Sequence, residues 1–518
     1  MGKAIKWDFT NKCNLRCIHC SAAGSHFAPD VRRISLAQKL RVVDNLSKAD
    51  VAELTLLGGE PLTSKDFFPV ASYAASKGIA VTVVTNGILL SDANIARIID
   101  SGISTVVISL DGASALTHDH IRGKGSFDKT IPNIRRLVSR VKETGSRVKT
   151  KMNTVVNKIN HSEIDEMFEL GRRLEVNELS FLALTEVGRA AERKDELVLT
   201  PEESIDAAVA IGRKFNALVN KDLYPEIRQQ IANPLVCDYI RQKYGIDMPG
   251  SYVSTICCLG GISLGYVTPD GDLFPCDRIV ADRYVGRPIR GAIVERRSLL
   301  TDDFDDIWSS DYFAKMFELV VDDNTYRNYR PCSNCEYLKT RQCNPCPLDS
   351  GENVAAFGSC LIAAKALNNV RHDSGDSNTS DNILSGFTSY KYGLDTSDNE
   401  LYQNIGNMIP EKASDIRLSD RGDGTTIIFN PHKTELCRLV PITRFMWDLI
   451  NDKNTVSDIA AEIEEILRSV RDRLHVEDDG YYAGGAVKER VANYFQGLSD
   501  AGFVVLNPQH EEVLPEIG

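Results

Sequence analysis

The chain has 518 residues, 42% hydrophobic and 25% charged, a composition typical of a globular protein with several domains. Its formal net charge of −12 disfavours a general nucleic-acid binder, which normally carries a basic excess. Its sequence contains neither an apolar run long enough for a membrane span nor the apolar core of a secretory signal. Thirteen cysteines without an export signal favour metal ligands in a reducing, cytoplasmic location.

The first part of the chain alternates predicted strands and helices. Strands are predicted at 4–9, 53–57, 80–84, 105–110, 148–155 and 178–184, and helices at 36–46, 68–77, 94–101, 129–144 and 162–174. Such alternation predicts an α/β domain with a parallel sheet, whose functional residues gather at the carboxyl ends of the strands. We expect this domain to occupy residues 1–200.

Composition then divides the rest of the chain. We predict a helical connector at 201–250, a cysteine-rich domain at 251–365, a polar linker at 366–384 and a small α+β domain at 385–518.

Three cysteines follow the first predicted strand in the spacing Cys-x3-Cys-x2-Cys: Cys13, Cys17 and Cys20. Three thiolates this close can hold three irons of a 4Fe–4S cube and leave the fourth iron open to a small chelating molecule. Zinc is the alternative, but zinc sites usually add a second Cys-x-x-Cys unit or a histidine pair. Here His19 lies between the cysteines, and no close histidine pair follows.

On these cysteines the sequence resembles the radical SAM superfamily. The resemblance implies a partial barrel of six strand–helix units, with S-adenosylmethionine (SAM) bound through its amino and carboxylate groups to the open iron. The cluster's electron, supplied by a flavodoxin- or ferredoxin-type donor, would then break a carbon–sulfur bond and yield a 5′-deoxyadenosyl radical.

Further residues at strand ends match the family's SAM contacts. The resemblance implies that Gly58, Gly59 and Glu60 meet the SAM amino group, with an ordinary strand-to-helix turn as the alternative. It also implies that Ser109 and Arg122 contact SAM, the arginine through the SAM carboxylate; a surface salt bridge is the alternative for Arg122.

The resemblance places two more groups near the SAM adenosine. His19 would take the place of an adenine-stacking aromatic ring, although many relatives carry a hydrocarbon ring there. Leu182 or Leu184 would wall the adenosine, with core packing as the alternative.

A second set of cysteines resembles the SPASM extension, which holds two auxiliary 4Fe–4S clusters. The spacing here is Cys-x2-Cys-x7-Cys-x2-Cys, where the family usually has Cys-x2-Cys-x5-Cys-x3-Cys. By order, the first auxiliary cluster would use Cys258, Cys276 and Cys346, and the second would use Cys332, Cys335, Cys343 and Cys360. The fourth ligand of the first cluster stays open between Cys257, Cys237 and an iron left for substrate. A zinc ribbon is the alternative to clusters.

Asp277 directly follows Cys276. In sulfatase maturases an aspartate at this place removes a proton from the substrate radical, and the resemblance implies the same catalytic role here. The alternative is a turn residue or a helix N-cap.

The last part of the chain resembles the RiPP recognition element, a winged-helix module of the pyrroloquinoline-quinone peptide chaperone family. Strands are predicted at 415–420, 425–429 and 434–439, and helices at 443–450, 459–467 and 487–501. In that family a leader peptide adds a strand to the sheet edge. The alternatives are a winged-helix dimerisation domain and a DNA-binding winged helix, which an acidic helix disfavours.

These resemblances together predict a radical SAM peptide maturase that binds a precursor peptide through its leader and installs a thioether or carbon–carbon crosslink. Neither nucleic acid nor a membrane is expected as a partner. The enzyme alternative is a sulfatase-maturase-like formylglycine-forming activity. The non-enzyme alternative is an iron–sulfur scaffold or peptide carrier.

Overall fold

The chain divides into two compact units, residues 2–375 and 376–518, and each is described by itself. The computed structural model describes residues 3–24, 34–218, 225–249, 258–281, 284–321, 325, 332, 335–339, 343, 346–348, 354–373, 408–413, 416–420, 426–430, 435–439, 446–451, 453–474, 488, 491–492, 494–496, 498–499 and 504–508.

The first unit is built on a nine-stranded sheet. Its strands are β1 (Lys3–Thr10), β2 (Val51–Gly58), β3 (Ala80–Thr85), β4 (Thr105–Ser109), β5 (Lys149–Val156), β6 (Glu178–Ala183), β7 (Glu226–Gln229), β8 (Leu264–Val267) and β9 (Leu273–Phe274). The spatial order is β7-β6-β5-β4-β3-β2-β1-β8-β9. Every neighbouring pair is parallel except β8 and β9. All six strands predicted from the sequence are therefore confirmed as parallel neighbours.

Helices connect successive strands of this sheet, and further helices follow its last strand. They are α1 (Leu36–Lys48), α2 (Phe67–Ser76), α3 (Asp92–Asp100), α4 (Ala115–Arg122), α5 (Ser126–Thr144), α6 (Ile164–Leu174), α7 (Arg189–Glu192), α8 (Lys194–Leu197), α9 (Pro201–Leu218), α10 (Pro234–Tyr244), α11 (Asp277–Ala281), α12 (Phe304–Trp308), α13 (Asp311–Val321), α14 (Glu336–Lys339) and α15 (Val354–Asp373). A short hairpin of β10 (Pro288–Ile289) and β11 (Ala292–Ile293) lies between α11 and α12.

Local sequence signals fix where several of these helices begin and end. Ser35 accepts a hydrogen bond from the Gln38 backbone at 3.3 Å, and its own N–H donates to the Gln38 side chain at 2.9 Å. This capping box satisfies N–H groups that the first turn of α1 leaves without helical partners. Gly145, with φ of +63°, ends α5 in the left-handed conformation that glycine adopts without strain.

The two faces of the sheet differ in character. The face that carries Trp7, Leu56, Val83 and Ile108 is fully buried and apolar. The opposite face carries polar side chains, several of them half-exposed. The strand register places Thr55, Thr82, Ser109, Lys151, Asn153 and Ser180 on this polar face. One face therefore forms the core with the helices, and the other offers a polar surface below the strand ends.

Three strands of the sheet were not among the sequence predictions. Residues 201–250 were expected to be helical, yet Glu226–Gln229 forms β7, which pairs with β6. Strand β8, from the cysteine-rich region, pairs with β1 on its other side, and β9 continues the sheet from there. The sheet is thus larger than six strands because the region after residue 200 extends both edges.

The second unit contains two small antiparallel sheets. One joins β13 (Arg417–Asp420), β14 (Thr426–Asn430) and β15 (Glu435–Leu439), which confirms three predicted strands. The other pairs β12 (Met408–Lys412) with β16 (Val504–Pro508), a pairing that the sequence did not predict.

The apolar core of the second unit is helical. Helix α16 (Val456–Leu474) buries Val456, Ile459 and Ile463, which pack with Trp447 and Phe495. Of the predicted helix at 443–450, residues 446–448 are helical and 449–450 are not. The described residues of the predicted helix at 487–501 are helical, and α16 extends beyond the predicted 459–467. Residues 421–424, between the first two predicted strands of this unit, lie outside the described residues. Across the described part of the chain, no helix is both long and apolar enough to cross a membrane.

Candidate functional site

Cys13, Cys17 and Cys20 lie in the loop that leaves the carboxyl end of β1. Cys17 is buried, and the other two are half-buried. The loop turns tightly, because the Leu15 N–H donates to Cys13 Sγ at 3.4 Å and the Cys20 N–H donates to the Cys17 carbonyl at 3.4 Å. The structure thus brings the three cysteines into one compact loop at the strand edge where sites are expected.

Gly58 and Gly59 are required by the close approach of this loop. The Gly59 N–H donates to the Thr10 carbonyl at 2.6 Å, and the Glu60 N–H donates to the Lys12 carbonyl at 2.7 Å. A Cβ added at Gly59 would lie 2.1 Å from Lys12 O, and one at Gly58 would lie 2.7 Å from Thr10 O. The two glycines therefore let the cysteine loop dock against the end of β2.

Glu60 binds the end of β3. Its side chain is 1% exposed and accepts hydrogen bonds from the Thr85 hydroxyl and the Asn86 N–H, both at 2.8 Å. Burial raises the pKa of this carboxyl, while the bonds from Asn86 and Thr85 oppose the rise. Asn86 in turn donates to Asn14 at 2.7 Å, which ties this cluster to the cysteine loop.

Asp111, Arg122 and Cys17 form a buried charged group beneath the loop. Arg122 Nε donates to Asp111 Oδ2 at 2.5 Å, and its Nη1 lies 4.0 Å from Cys17 Sγ. Asp111 is fully buried, and its Oδ1 also accepts from the Val155 N–H at 2.8 Å. Burial alone would raise the pKa of Asp111, but the Arg122 guanidinium, the Val155 N–H and two nearby histidines together outweigh it and hold this pKa below its ordinary value. Arg122 is thus in a buried ion pair and not the surface salt bridge offered as the alternative.

Two histidines flank this group. His19 Nε2 lies 3.2 Å from Asp111 Oδ2, and burial lowers the His19 pKa to about 4. His118 Nδ1 accepts from the Asp111 N–H at 3.2 Å, and its pKa is also lowered by burial to about 4. Within the described residues, His19 Nδ1 and His118 Nε2 are buried without a hydrogen-bond partner. An orphaned polar atom in the loop suits a bound group that brings its own hydrogen-bonding atoms.

The segment after β6 holds the cysteine loop from its other side. Arg189 Nε donates to the Cys17 carbonyl at 2.7 Å, and the Arg189 N–H donates to the Cys20 carbonyl at 3.1 Å. A Cβ on Gly188, whose φ is +61°, would lie 2.6 Å from that Cys20 carbonyl. In the sequence, Gly188 and Arg189 follow the predicted strand at 178–184, but no role was predicted for either residue.

Ser109 and Leu182 lie at the carboxyl ends of β4 and β6, and both are half-buried. Leu184 is also half-buried, beyond the end of β6. The structure therefore gathers the predicted SAM-contact residues at one edge of the sheet, with Ser109 and Leu182 on its polar face.

The first auxiliary group of cysteines is brought together around Gly260. A Cβ at Gly260 would lie 3.2 Å from Cys276 Cβ and 3.7 Å from Cys258 Sγ. Burial raises the pKa of Cys276 well above its ordinary value, and the negative charges of Asp277, Cys258 and Cys346 add to the rise. Asp277 is exposed and is the first residue of α11. Cys257 lies outside the described residues.

Cys360, a member of the second auxiliary group, lies on α15 and is buried in an apolar cluster. Burial raises its pKa to about 12, with smaller contributions from Cys332 and Cys335 and an opposing hydrogen bond from Asn233. That bond joins Asn233 Nδ2 to Cys360 Sγ at 2.7 Å. Cys343 follows nearby in the chain and donates its N–H to the Tyr337 carbonyl at 2.9 Å.

Cys237 packs in the same apolar cluster as Cys360, and its thiol donates to the Ala232 carbonyl at 3.7 Å. Burial raises the pKa of Cys237 to about 12. Within the described residues, no three Cys, His, Asp or Glu side chains are arranged to hold one metal ion. Thiolates are soft ligands of the kind that iron–sulfur clusters use.

Two family matches agree with these groups. Residues 7–171 match the Radical SAM superfamily, and residues 257–336 match SPASM, an iron-sulfur cluster-binding domain. This chain is an enzyme with a radical SAM domain. Its radical SAM domain contains the cysteine loop and the buried Asp111–Arg122 pair, and its SPASM domain follows. These domains bind SAM and iron–sulfur clusters.

Curated relatives include two named enzymes. The chain is 28% identical over 346 residues to the AdoMet-dependent heme synthase of Methanosarcina barkeri, a match that covers 65% of this chain and 89% of that protein. It is 28% identical over 316 residues to the mycofactocin maturase MftC of Mycolicibacterium smegmatis, covering 61% of this chain and 72% of the relative.

Solved structures share the fold. Streptococcus suis SuiB bound to precursor peptide SuiA aligns with a TM-score of 0.51 and 17% identity over 66% of this chain and 71% of SuiB. The structure of anSMEcpe with bound AdoMet and Cp18Cys peptide aligns with a TM-score of 0.51 and 15% sequence identity. The alignment covers 71% of this chain and 99% of anSMEcpe.

Proposed function

We propose that this chain is a peptide maturase that abstracts a hydrogen from a residue of a ribosomal precursor peptide and installs a thioether or carbon–carbon crosslink. The observation that carries the proposal is the cysteine loop held between the ends of β2 and β6, with an open polar sheet face beside it. The names of two relatives support the peptide substrate: MftC is a maturase, and SuiB binds a precursor peptide.

In this proposal Cys13, Cys17 and Cys20 hold the SAM-binding 4Fe–4S cluster. The bound cluster supplies an electron that cleaves SAM. The chain's own part is to keep the loop rigid: Gly59 admits it, and Arg189 holds its carbonyls. Ordered ligands at the strand edge position a reactive group and exclude water.

Residues around the loop would then orient SAM. Ser109 and Leu182 face the polar side of the sheet, where they can contact the sugar and the adenine. The orphaned Nδ1 of His19 can accept a hydrogen bond from an amino group. The carboxylate of Glu60 is bound to Thr85 and Asn86, so we assign it to positioning of the glycine turn.

The two auxiliary groups would each hold a 4Fe–4S cluster. Cys258, Cys276 and Cys346 would serve the first, and the second would use Cys332, Cys335, Cys343 and Cys360. Electron loss to such clusters would allow bond formation after hydrogen abstraction. Asp277, exposed beside Cys276, can accept the proton that leaves the substrate.

The C-terminal unit would bind the leader of the precursor. Its sheet β13–β14–β15 has two outer strands, β13 and β15, to which an extended peptide can add by backbone hydrogen bonds. Binding there would tether the peptide and raise its effective concentration at the radical site.

A heme-synthase-like reaction is the second candidate, because the M. barkeri heme synthase matches over 89% of its own length. That match covers 65% of this chain, so about a third lies outside it. A sulfatase-maturase-like formylglycine activity is a third possibility, suggested by Asp277 after Cys276.

Coexpression with short open reading frames beside the gene, followed by mass spectrometry, tests the proposal. A crosslink removes two hydrogens, about 2 Da, from the peptide. A triple Cys13, Cys17 and Cys20 to alanine variant must lose this change. A chain truncated after residue 375 must keep SAM cleavage but lose peptide modification. Modification of an iron porphyrin with no peptide product would instead support the heme-synthase reading.

A further inference from the structure

The Asp111–Arg122 ion pair contacts the cysteine loop directly. Arg122 Nη1 lies 4.0 Å from Cys17 Sγ, while its Nε donates to Asp111 at 2.5 Å. Arg122 is 8% exposed and Asp111 is fully buried. Water can therefore screen neither charge effectively, and each acts on the nearby sulfur more strongly than a surface charge would.

Several contacts fix this geometry. The Val155 N–H donates to Asp111 Oδ1 at 2.8 Å, and Asn160 donates to the Asp111 carbonyl at 2.9 Å. The Arg122 carbonyl lies 3.9 Å from Cys17 Sγ, and the Ile18 N–H donates to the Ile121 carbonyl at 2.9 Å. The end of α4 and the cysteine loop are thus locked together, with the guanidinium aimed at one sulfur.

We propose that Asp111 and Arg122 are positioning residues that set the reduction potential of the SAM-binding cluster through opposite charges next to Cys17. This inference rests on the proposed role of Cys17 as a cluster ligand. Potentials of iron–sulfur clusters depend on net charge and on hydrogen bonds to the sulfurs. Reduction adds an electron, so the nearby guanidinium favours the reduced cluster, and the negative charge of Asp111 opposes that effect.

This assignment differs from the SAM-carboxylate role that the family resemblance implies for Arg122. A residue that only pairs with SAM changes SAM affinity and leaves the potential of the SAM-free cluster unaltered. A residue that acts through Cys17 changes the potential before SAM binds. The two roles are therefore separated by a measurement without SAM.

The test uses the anaerobically reconstituted full-length protein and an EPR-monitored redox titration without SAM. The part of the cluster signal that changes when SAM is later added identifies the SAM-binding cluster. Arg122→Gln is expected to lower its potential, and Asp111→Asn to raise it. Each shift should correspond to about a tenfold change in the reduction equilibrium, ~59 mV for one electron. The double variant should lie between the two single variants.

A matched control is Arg136→Gln on α5, which removes a guanidinium whose hydrogen bonds go to Leu90 and Asn133. In this variant the reduction potential of the SAM-binding cluster should equal that in the unmodified protein. Equal potentials in all variants, or a shift of both single variants in the same direction, would overturn the proposal.

Two further outcomes are also decisive. If Arg122→Gln fails to retain iron, Asp111→Asn decides alone: an upward shift supports the proposal, and a zero or downward shift overturns it. If the unmodified protein shows no SAM-responsive cluster, the proposed function itself fails, and this inference fails with it. A SAM-responsive cluster with unshifted variants rejects only the charge pair.

Discussion

Replacing Gly59 by alanine should dislodge the cysteine loop. The added Cβ would lie 2.1 Å from the Lys12 carbonyl oxygen, whereas ordinary van der Waals contact begins at 3.4 Å. The two segments must therefore separate by about 1.3 Å, more than close-packed protein tolerates without strain. A separation of that size breaks the 2.7 Å hydrogen bond from Glu60 N–H to Lys12 O.

The expected cost combines two terms. Overpacking of this kind costs about 1–3 kcal/mol, and the lost hydrogen bond adds about 1 kcal/mol. Local opening of the loop should then become easier by about 2–4 kcal/mol, or about 30- to 700-fold in amide exchange. Hydrogen-exchange mass spectrometry of the iron-free protein measures this at the amides of residues 10–20. Iron content after reconstitution should fall as well.

Gly78→Ala is the matched control, because a Cβ there has no atom within 4 Å. Its φ of +84° makes the substitution mildly strained, so it accounts for the general cost of losing a glycine. Exchange in the loop should be unchanged in this variant. The steric reasoning is refuted if Gly59→Ala and Gly78→Ala give the same loop exchange and the same iron content.

Three further predictions concern other contacts. Arg189→Ala removes the 2.7 Å bond to the Cys17 carbonyl and should speed the release of iron to a chelator several-fold, while Arg193→Ala on the surface should not. The pKa of Asp119 is lowered by the N–H groups at the start of α5, against the effect of burial. The ionised Asp119 side chain therefore stabilises the fold above its ordinary pKa of 3.8, and this stabilisation is lost as the pH falls through the pKa that Asp119 has in the folded protein. In Asp119→Asn, the free energy of unfolding of the iron-free protein should fall less steeply as the pH is lowered. Trp447 is 1% exposed in the core of the C-terminal unit, so Trp447→Ala should cost that unit about 3–5 kcal/mol in urea unfolding, whereas exposed Glu462→Ala should cost almost nothing.

Hydrophobic runs bounded by glycine and polar residues were sufficient to predict the first six strands. Each run, such as the one that became Thr105–Ser109, places apolar side chains in the core, and this pattern is local in the sequence. Glu226–Gln229 lacked such a signal, because a four-residue edge strand of mixed polarity owes its conformation to the neighbouring β6. The pairing of β12 with β16 could not be predicted from local sequence either, because it joins segments almost a hundred residues apart.

The sequence predicted several residues of the candidate site but not the contacts between them. Cysteine spacing indicated Cys13, Cys17 and Cys20, and the resemblance to a known family pointed to Arg122. The partners of Arg122 could not be read from spacing, because the ion pair with Asp111 depends on how α4 folds back on β4. Arg189 was missed for the same reason: its carbonyl contacts form only after the segment following β6 reaches the cysteine loop.

Strand β1 is completed by a partner that is translated long after it. The strand pairs with residues 264–267, the Trp7 indole donates to the Thr268 carbonyl at 3.2 Å, and the Tyr266 hydroxyl donates to buried Asp8 at 2.8 Å. On the ribosome, the nascent chain must therefore carry β1 with one exposed edge while more than two hundred further residues emerge. Exposed strand edges promote aggregation, and the cysteine loop directly follows β1. Folding of the radical SAM domain should consequently be complete only after residues 264–267 have been synthesised.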